Sequence, residues 1–144
     1  MATDRRAEVT WRGSLLEGAG RIDSVTSGAF GGEKISWTAR STDEWGGNTS
    51  PEELIAAAHA ACFSMALASG LSKDGHEPGE LSTSATVTFQ PGEGIVRIAL
   101  TVDGQVEGID ADSFSAAAEA AKESCPVSKA LAGVPEITLE ARLR

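Results

Sequence analysis

Residues 50–70 constrain the fold most, because their sequence is typical of one long helix with almost no polar side chains. Between positions 54 and 68 only His59 and Ser64 carry polar side chains, and seven of the fifteen residues are alanine. A helix that is apolar nearly all round must be enclosed by other elements. The apolar run is shorter than the roughly 20 residues that a bilayer span needs, so we expect a core helix.

The two ends of this helix carry recognisable signals. Ser50 suits the N-cap, Pro51 the first helical position and Glu53 the third residue of a capping box. Gly70 is expected to end the helix. Glu52 has no part in that cap, although an acidic side chain in the first turn is favourable anyway.

Period-two patterns on both sides of the helix predict strands. Near-alternation over residues 7–13, 20–29 and 33–40 predicts an N-terminal antiparallel meander. Cleaner alternation over residues 81–89, 96–102 and 137–143 predicts three half-buried strands. Helices are predicted over residues 112–124 and 126–131. The order of strands, helix, strands, helices and strand predicts an α+β fold with antiparallel sheets around the central helix.

Length and charge narrow the possible functions. A chain of 144 residues with 41% hydrophobic residues suits one domain, residues 1–144, with its own core. The net charge of −9 and the absence of tyrosine disfavour nucleic acids and anionic membrane surfaces as partners. The N-terminus lacks the apolar run of a signal peptide. We therefore expect a protein of the reducing cytoplasm.

The two cysteines, Cys62 and Cys125, lie 63 residues apart and form no metal-binding pair motif. Cys62, in the middle of the apolar helix, is either an inert core residue or a reactive thiol. The second interpretation requires a cation nearby, because an apolar site alone disfavours the thiolate. Cys125 precedes Pro126 and a short helix, so it is either a core residue or a thiol activated by free backbone N–H groups.

Two further side chains of the same helix, those of His59 and Glu52, are candidates for a role in catalysis. His59, three residues earlier on the same helical face, is either a hydrogen-bonded packing residue or a ligand or base. A metal site of His59, Cys62 and Cys125 offers only three ligands and no fourth with sensible spacing. Glu52 lies ten residues before Cys62, about 15 Å along a straight helix. Cooperation between Glu52 and Cys62 would therefore require a second subunit.

The two cysteine contexts, PEELIAAAHAACFSMAL at residues 51–67 and CPVSKAL at residues 125–131, resemble the OsmC branch of the OsmC/Ohr family of thiol peroxidases. WTAR at residues 37–40 extends the resemblance. It implies a cytoplasmic homodimer of two intertwined α+β subunits with active sites at their interface. It also implies reduction of organic hydroperoxides, and more weakly of hydrogen peroxide, without flavin, haem or metal.

By motif position, the resemblance makes Cys62 the peroxidatic cysteine and Cys125 the resolving one. Glu52, the first acid of PEE, matches the active-site glutamate, and Arg40 matches the arginine that polarises the site. The implied cycle passes through a Cys62 sulfenic acid and a Cys62–Cys125 disulfide, which an external dithiol or lipoylated protein reduces. Ser50 stands where the family often has asparagine, and both are good N-caps.

The active-site arginine, the substrate pocket and the function each have a further interpretation. Arg12 and Arg21 also lie in the predicted N-terminal strands, so the assignment of the active-site arginine to Arg40 rests on a short motif. An apolar pocket that favours hydrocarbon-bearing peroxides is expected around Cys62, and Ile55, Phe63 and Met65 are its expected lining. The alternative function is a non-catalytic ligand-binding or stress-protective dimer of the same fold.

Overall fold

The computed structural model describes all residues, Met1–Arg144. They form two compact units, Met1–Pro51 and Glu52–Arg144. In chain order the elements are β1 (Ala7–Arg12), β2 (Ala19–Val25), β3 (Lys34–Ile35), α1 (Trp37–Ser41), α2 (Pro51–Lys73), β4 (Pro78–Gln90), β5 (Gly94–Val106), α3 (Ala111–Ser124), α4 (Pro126–Ala130) and β6 (Glu136–Leu143). The predicted α+β class is confirmed.

The N-terminal unit is built on a three-stranded antiparallel sheet in the order β1-β2-β3. The prediction of a strand over residues 33–40 is wrong beyond Ile35, because α1 occupies Trp37–Ser41. The reason is a local cap: the Ser36 hydroxyl accepts a hydrogen bond of 3.1 Å from the Ala39 N–H and starts the helix. The last turn of α1 carries Arg40.

The central helix α2 begins at Pro51 as predicted but does not end at Gly70. It continues to Lys73, and the chain then turns at Gly75, whose φ is 84°. The His76 N–H donates to the Leu71 carbonyl at 2.8 Å and the Gly75 N–H to the Ser72 carbonyl at 3.1 Å. These two bonds form a Schellman motif, which requires the positive φ that glycine adopts freely. Gly75, not Gly70, is thus the residue that ends the helix.

With 23 residues, α2 is long and apolar enough to cross a membrane by length and composition, so the argument from a short apolar run was wrong. Its packing instead makes it a core helix of the C-terminal unit. Phe63, Leu67 and Leu71 on one face are at most 1% exposed and belong to the main hydrophobic cluster. Ser64 is hydrogen-bonded to Thr83 of β4 at 2.7 Å.

The opposite face of α2 carries apolar side chains that a single chain leaves exposed. We call them the exposed stripe: Leu54, Ala57, Ala58, Ala61 and Met65. Met65 is 73% exposed. The expected enclosure of the helix therefore holds along one face within one chain, and the exposed stripe is available for contact with a second molecule.

The C-terminal unit contains the second sheet, in the order β4-β5-β6. The three predicted strands are confirmed, and β4 and β5 pair as an antiparallel hairpin. The expectation of antiparallel sheets holds except for β6, which pairs with β5 in parallel. The chain returns to the sheet through α3 and α4, a crossover of the kind that parallel strands require.

Gly104 of β5 allows α3 to pack closely on this sheet. A Cβ at this position would lie 2.6 Å from Cε2 of Phe114, a fully buried side chain of α3. We expect Gly104→Ala to lower the free energy of unfolding by about 1–3 kcal/mol, because the aromatic ring must shift inside a packed core. Urea denaturation measures this effect. Gly133→Ala is the matched control, since a Cβ there meets nothing within 4 Å, and equal losses in both variants would contradict the packing argument.

Candidate active site

The C-terminal unit brings the two cysteines together. Cys62 lies on α2, and Cys125 is the single residue between α3 and α4. Cys125 is fully buried in the hydrophobic cluster, whereas Cys62 is half-buried and packs against that cluster. The two side chains interact directly and both are free thiols. Residues that are 63 positions apart in the sequence are thus neighbours in the fold.

The surroundings of the pair affect the two thiols in opposite directions. Burial raises the pKa of Cys62, and the interaction with Cys125 raises it further, against a smaller opposing effect of the Val127 N–H. Burial also disfavours a Cys125 thiolate, but the Ser128 N–H, the Cys62 thiol and the Ser128 hydroxyl together outweigh it and lower the pKa of Cys125. Within one chain, these surroundings therefore disfavour a Cys62 thiolate, which needs a further stabilising charge.

The local sequence explains why Cys125 is the more acidic thiol. Its N–H closes α3 by donating to the Ala121 carbonyl at 2.9 Å. Pro126, which has no backbone N–H, then occupies the first position of α4. The N–H groups of Val127 and Ser128 in the first turn have no partner within the helix, and both act on the Cys125 sulfur.

His59 and Ser128 form a buried pair beside Cys125. His59 is fully buried on α2, and its Nε2 lies 2.7 Å from the Ser128 hydroxyl. Its Nδ1 is buried without a hydrogen-bond partner. Of the two interpretations of His59, the structure favours the hydrogen-bonded packing residue, and no group of three or more His, Cys, Asp or Glu is arranged to hold a metal ion.

Sequence reasoning assigned no role to Ser128. The signal was present in CPVS, where the serine is the third residue after Cys125 and therefore falls in the first turn of α4. A hydroxyl in that turn can form a hydrogen bond to the cap residue, as the Ser128 hydroxyl does with the Cys125 sulfur. The partner of Ser128 on α2 could not be read from the sequence.

Burial lowers the pKa of His59, which makes stability depend on pH. Below about pH 6.5 an unfolded histidine binds a proton that the folded one resists, so the unfolded state gains protons and stability falls on acidification. We expect the free energy of unfolding to drop more between pH 7.5 and 5.5 for the wild type than for His59→Gln. One proton contributes at most about 1.4 kcal/mol per pH unit. Parallel urea titrations of the two proteins measure it, and identical slopes would contradict it.

Glu52 lies in the first turn of α2 and is only 6% exposed. The helix runs without interruption from Glu52 to Cys62, so ten residues separate them by about 15 Å along the axis. One chain therefore does not bring Glu52 to its own Cys62, as the helix-length argument predicted.

Arg40, in the N-terminal unit, is half-buried and lines a cavity of about 360 Å³. The remaining lining is mainly apolar: Trp11, Leu15, Ile35, Trp37 and Pro51, with Ser36. Arg12 and Arg21 line a different depression, in which Asp23 and Lys34 are further charged residues and Arg21 pairs with Asp23 at 3.3 Å. Among the three candidate arginines, Arg40 is thus the one beside an apolar cavity of a size that suits a small ligand.

The expected pocket lined by Ile55, Phe63 and Met65 is not formed within one chain. Phe63 is fully buried in the core, whereas Met65 is 73% exposed. Two residues along a helix turn the side chain by about 200°, so the two side chains point to opposite faces of α2. An apolar cavity is found instead beside Arg40, within the N-terminal unit.

Comparisons with known proteins agree on one family. Residues 43–140 match the family model described as OsmC-like protein. Peroxiredoxin OsmC of Escherichia coli (strain K12) is 39% identical over an alignment of 147 positions, which covers 100% of this chain and 99% of that protein. The organic hydroperoxide resistance protein OhrB of Bacillus subtilis (strain 168) is 30% identical, with 93% and 95% covered. The crystal structure of an organic hydroperoxide resistance protein OsmC from Legionella pneumophila has the same fold, with a TM-score of 0.65 at 22% identity and coverage of 95% and 96%.

Proposed function

Because this chain belongs to the OsmC-like family, we propose that it is a thiol-dependent peroxidase that reduces organic hydroperoxides to alcohols, and hydrogen peroxide more weakly. The observation that carries the proposal is the interacting pair of free thiols, Cys62 and Cys125, of which one is half-buried and one fully buried. Relatives named as a peroxiredoxin and as organic hydroperoxide resistance proteins support the same chemistry. The reaction acts in the defence against oxidative stress.

In the first step Cys62 attacks the peroxide. We assign this role to Cys62 because its side chain is partly accessible, whereas that of Cys125 is fully buried. The thiolate sulfur bonds to the distal peroxide oxygen, the O–O bond breaks, and the leaving alkoxide takes up the proton that Cys62 has lost. The products are an alcohol and a Cys62 sulfenic acid.

A Cys62 thiolate needs a positive charge, because burial and Cys125 both raise the pKa of Cys62. We propose the Arg40 guanidinium for this role, since it is always charged and its planar fork suits a peroxide. Glu52 is proposed to orient that guanidinium. The apolar cavity beside Arg40 supports a substrate with a hydrocarbon group.

In the second step Cys125 attacks the sulfenic sulfur of Cys62. A disulfide forms within one chain, and the sulfenic oxygen leaves as hydroxide, which becomes water. An external dithiol then reduces the disulfide by thiol–disulfide exchange. A small dithiol or a lipoylated protein is the proposed reductant, and the free thiols suit a reducing cytoplasm.

The exposed stripe on α2 supports a homodimer as the working form. A run of apolar side chains along a long helix is costly in water and is the kind of surface that association buries. A second copy would also resolve the separation of about 15 Å between Glu52 and Cys62, since each site could take Cys62 from one subunit and Glu52 from the other. We therefore propose a symmetric homodimer with two sites.

Mixing two inactive variants tests whether the sites are shared. If Cys62 and Glu52 of one site come from different subunits, a Cys62→Ser and Glu52→Gln heterodimer keeps one intact site. Half of the dimers in an equal, randomised mixture are heterodimers, so about a quarter of wild-type activity is expected to return. Peroxide consumption after co-refolding measures the recovery. No recovery above the two separate variants would place both residues of a site in one subunit.

Counting thiols tests the proposed activity against a ligand-binding dimer. Pre-reduced protein treated with one equivalent of cumene hydroperoxide is expected to lose two thiols per chain and to release one alcohol. The disulfide product should migrate as a single chain on a non-reducing gel, because both cysteines belong to one unit. Unchanged thiols with retained peroxide would favour the non-catalytic alternative.

A further inference from the structure

A buried chain of polar groups extends from the cysteine pair into the core of the C-terminal unit. Cys62 interacts with Cys125, the Ser128 hydroxyl acts on the Cys125 sulfur, and Ser128 lies 2.7 Å from His59 Nε2. Cys125 and His59 are fully buried and Ser128 is 8% exposed. This series of polar groups ends at His59 Nδ1, which is buried and has no hydrogen-bond partner. Burial of a polar pair is costly, so a pair in this position calls for an explanation.

The unpartnered Nδ1 determines the direction of these hydrogen bonds. A neutral imidazole carries one proton, on either Nδ1 or Nε2. A proton on Nδ1 would leave a buried N–H donor without an acceptor. This costs more free energy than leaving an unprotonated ring nitrogen without a donor. A proton on Nε2 lets His59 donate to the Ser128 oxygen, and the Ser128 hydroxyl hydrogen is then directed to the Cys125 sulfur. With its proton on Nε2, His59 does not compete for the Ser128 hydroxyl hydrogen and fixes the orientation of the Ser128 oxygen, so that this hydrogen is left for the Cys125 sulfur.

We propose that Ser128 and His59 are positioning residues of the resolving step: His59 holds the Ser128 hydroxyl in the orientation that donates to the Cys125 sulfur, and this donor stabilises the negative charge on that sulfur as it attacks Cys62. This inference rests on the proposed function. It gives a reason for a fully buried histidine on α2 whose Nε2 is paired with the serine of the second cysteine motif.

The hydrogen bond acts on the step in which the disulfide forms. The Cys125 thiolate supplies the electron pair for the S–S bond, the S–O bond of the Cys62 sulfenic acid breaks, and hydroxide leaves and is protonated by solvent. The oxidant is the hydroperoxide that has already reacted at Cys62. If Cys125 is instead a neutral thiol, it must first lose its proton in a fully buried site, and Cys62 remains a sulfenic acid for longer.

Ser128→Ala tests the hydroxyl. After a single equivalent of peroxide, disulfide formation in stopped-flow measurements is expected to slow by about tenfold, the effect of losing one hydrogen bond to a charged group. Alcohol release in the same experiment is expected to stay within about twofold, since it reports attack by Cys62. In a Cys62→Ser background, where Cys125 is the only cysteine, the ultraviolet thiolate absorbance at neutral pH should fall. Equal slowing of both steps, or unchanged thiolate absorbance, would overturn the proposal.

Two substitutions of His59 separate positioning from packing. His59→Gln can place an amide N–H near the former Nε2 position, whereas His59→Leu fills similar volume and offers no donor. We expect disulfide formation to be slow in His59→Leu and largely restored in His59→Gln. Equal rates in the two variants would overturn the role of His59, even where Ser128→Ala fails to fold.

The same data separate this inference from the proposed function. If wild-type protein loses no thiols with peroxide, the peroxidase proposal fails. If the wild type forms the disulfide at the same rate as Ser128→Ala, the peroxidase proposal stands and only the role of Ser128 and His59 fails. Overoxidised Cys62, measured as sulfinic acid by mass spectrometry after excess peroxide, should rise in Ser128→Ala and His59→Leu.

Discussion

Cys62→Ser is expected to abolish hydroperoxide reduction, with a loss of roughly 10³-fold or more, as expected when an enzyme loses its nucleophile. A serine hydroxyl at neutral pH is not ionised and is a poor nucleophile toward peroxide oxygen, so the O–O bond is not broken. Peroxide consumption with an excess of dithiol measures this directly. No disulfide should form in this variant, since Cys125 then has no partner in its chain.

The fold offers a control for this result. Cys62 is half-buried, and serine has nearly the same size, so the unfolding transition should change little. A Cys62→Ser protein that folds as the wild type does but still consumes peroxide would contradict the assigned order of the two cysteines. The lower pKa of Cys125 makes this order worth testing, because acidity alone would point to Cys125 as the nucleophile. Accessibility points to Cys62, and a peroxide must reach the attacking sulfur before acidity matters.

Cys125→Ser is expected to reduce peroxide normally in the first turnover and then to lose activity within a few turnovers. The Cys62 sulfenic acid forms, but no neighbouring thiol condenses with it, so further peroxide oxidises it to sulfinic acid, which is irreversible. Burst kinetics followed by mass spectrometry of Cys62 show both stages. The loss should deepen with peroxide excess and lessen with added dithiol, which can reduce the sulfenic acid directly.

Packing has to be separated from chemistry at this position, because Cys125 is fully buried. Cys125→Ala removes the thiol without placing a new hydroxyl in the core, so it should show the same burst and the same sulfinic acid. Sustained turnover at the wild-type rate in both variants would contradict a resolving role for Cys125.

Elements with strong local patterns were predicted well. The strict alternation around Val87 and Ile98 identified β4 and β5, because a half-buried strand forces period two on its sequence. Pro51 marked the start of α2. One prediction failed because a local cap overrides the pattern: the Ser36 side chain starts α1 where a strand was predicted. The other failed at Gly70, because α2 continues through this glycine to Lys73.

The same distinction between local sequence patterns and tertiary contacts applies to the residues of the candidate site. Cys62, Cys125, Arg40 and Glu52 were named from motif positions, and the structure places the two cysteines side by side. The choice of Arg40 over Arg12 and Arg21 gains support only from the cavity that Arg40 lines. Ser128 was missed because its importance depends on His59, which lies 69 residues earlier and makes contact only through the packing of α4 on α2.

Local sequence thus determined the type of most elements, the central place of the apolar helix and the two cysteine motifs, because hydrophobic periodicity and capping act over a few residues. The parallel pairing of β6, the exposed stripe on α2 and the opposite pKa shifts of the two thiols depended on tertiary structure. Each of these depends on the burial and hydrogen bonds of groups far apart in the chain, and such contacts exist only once the core has formed.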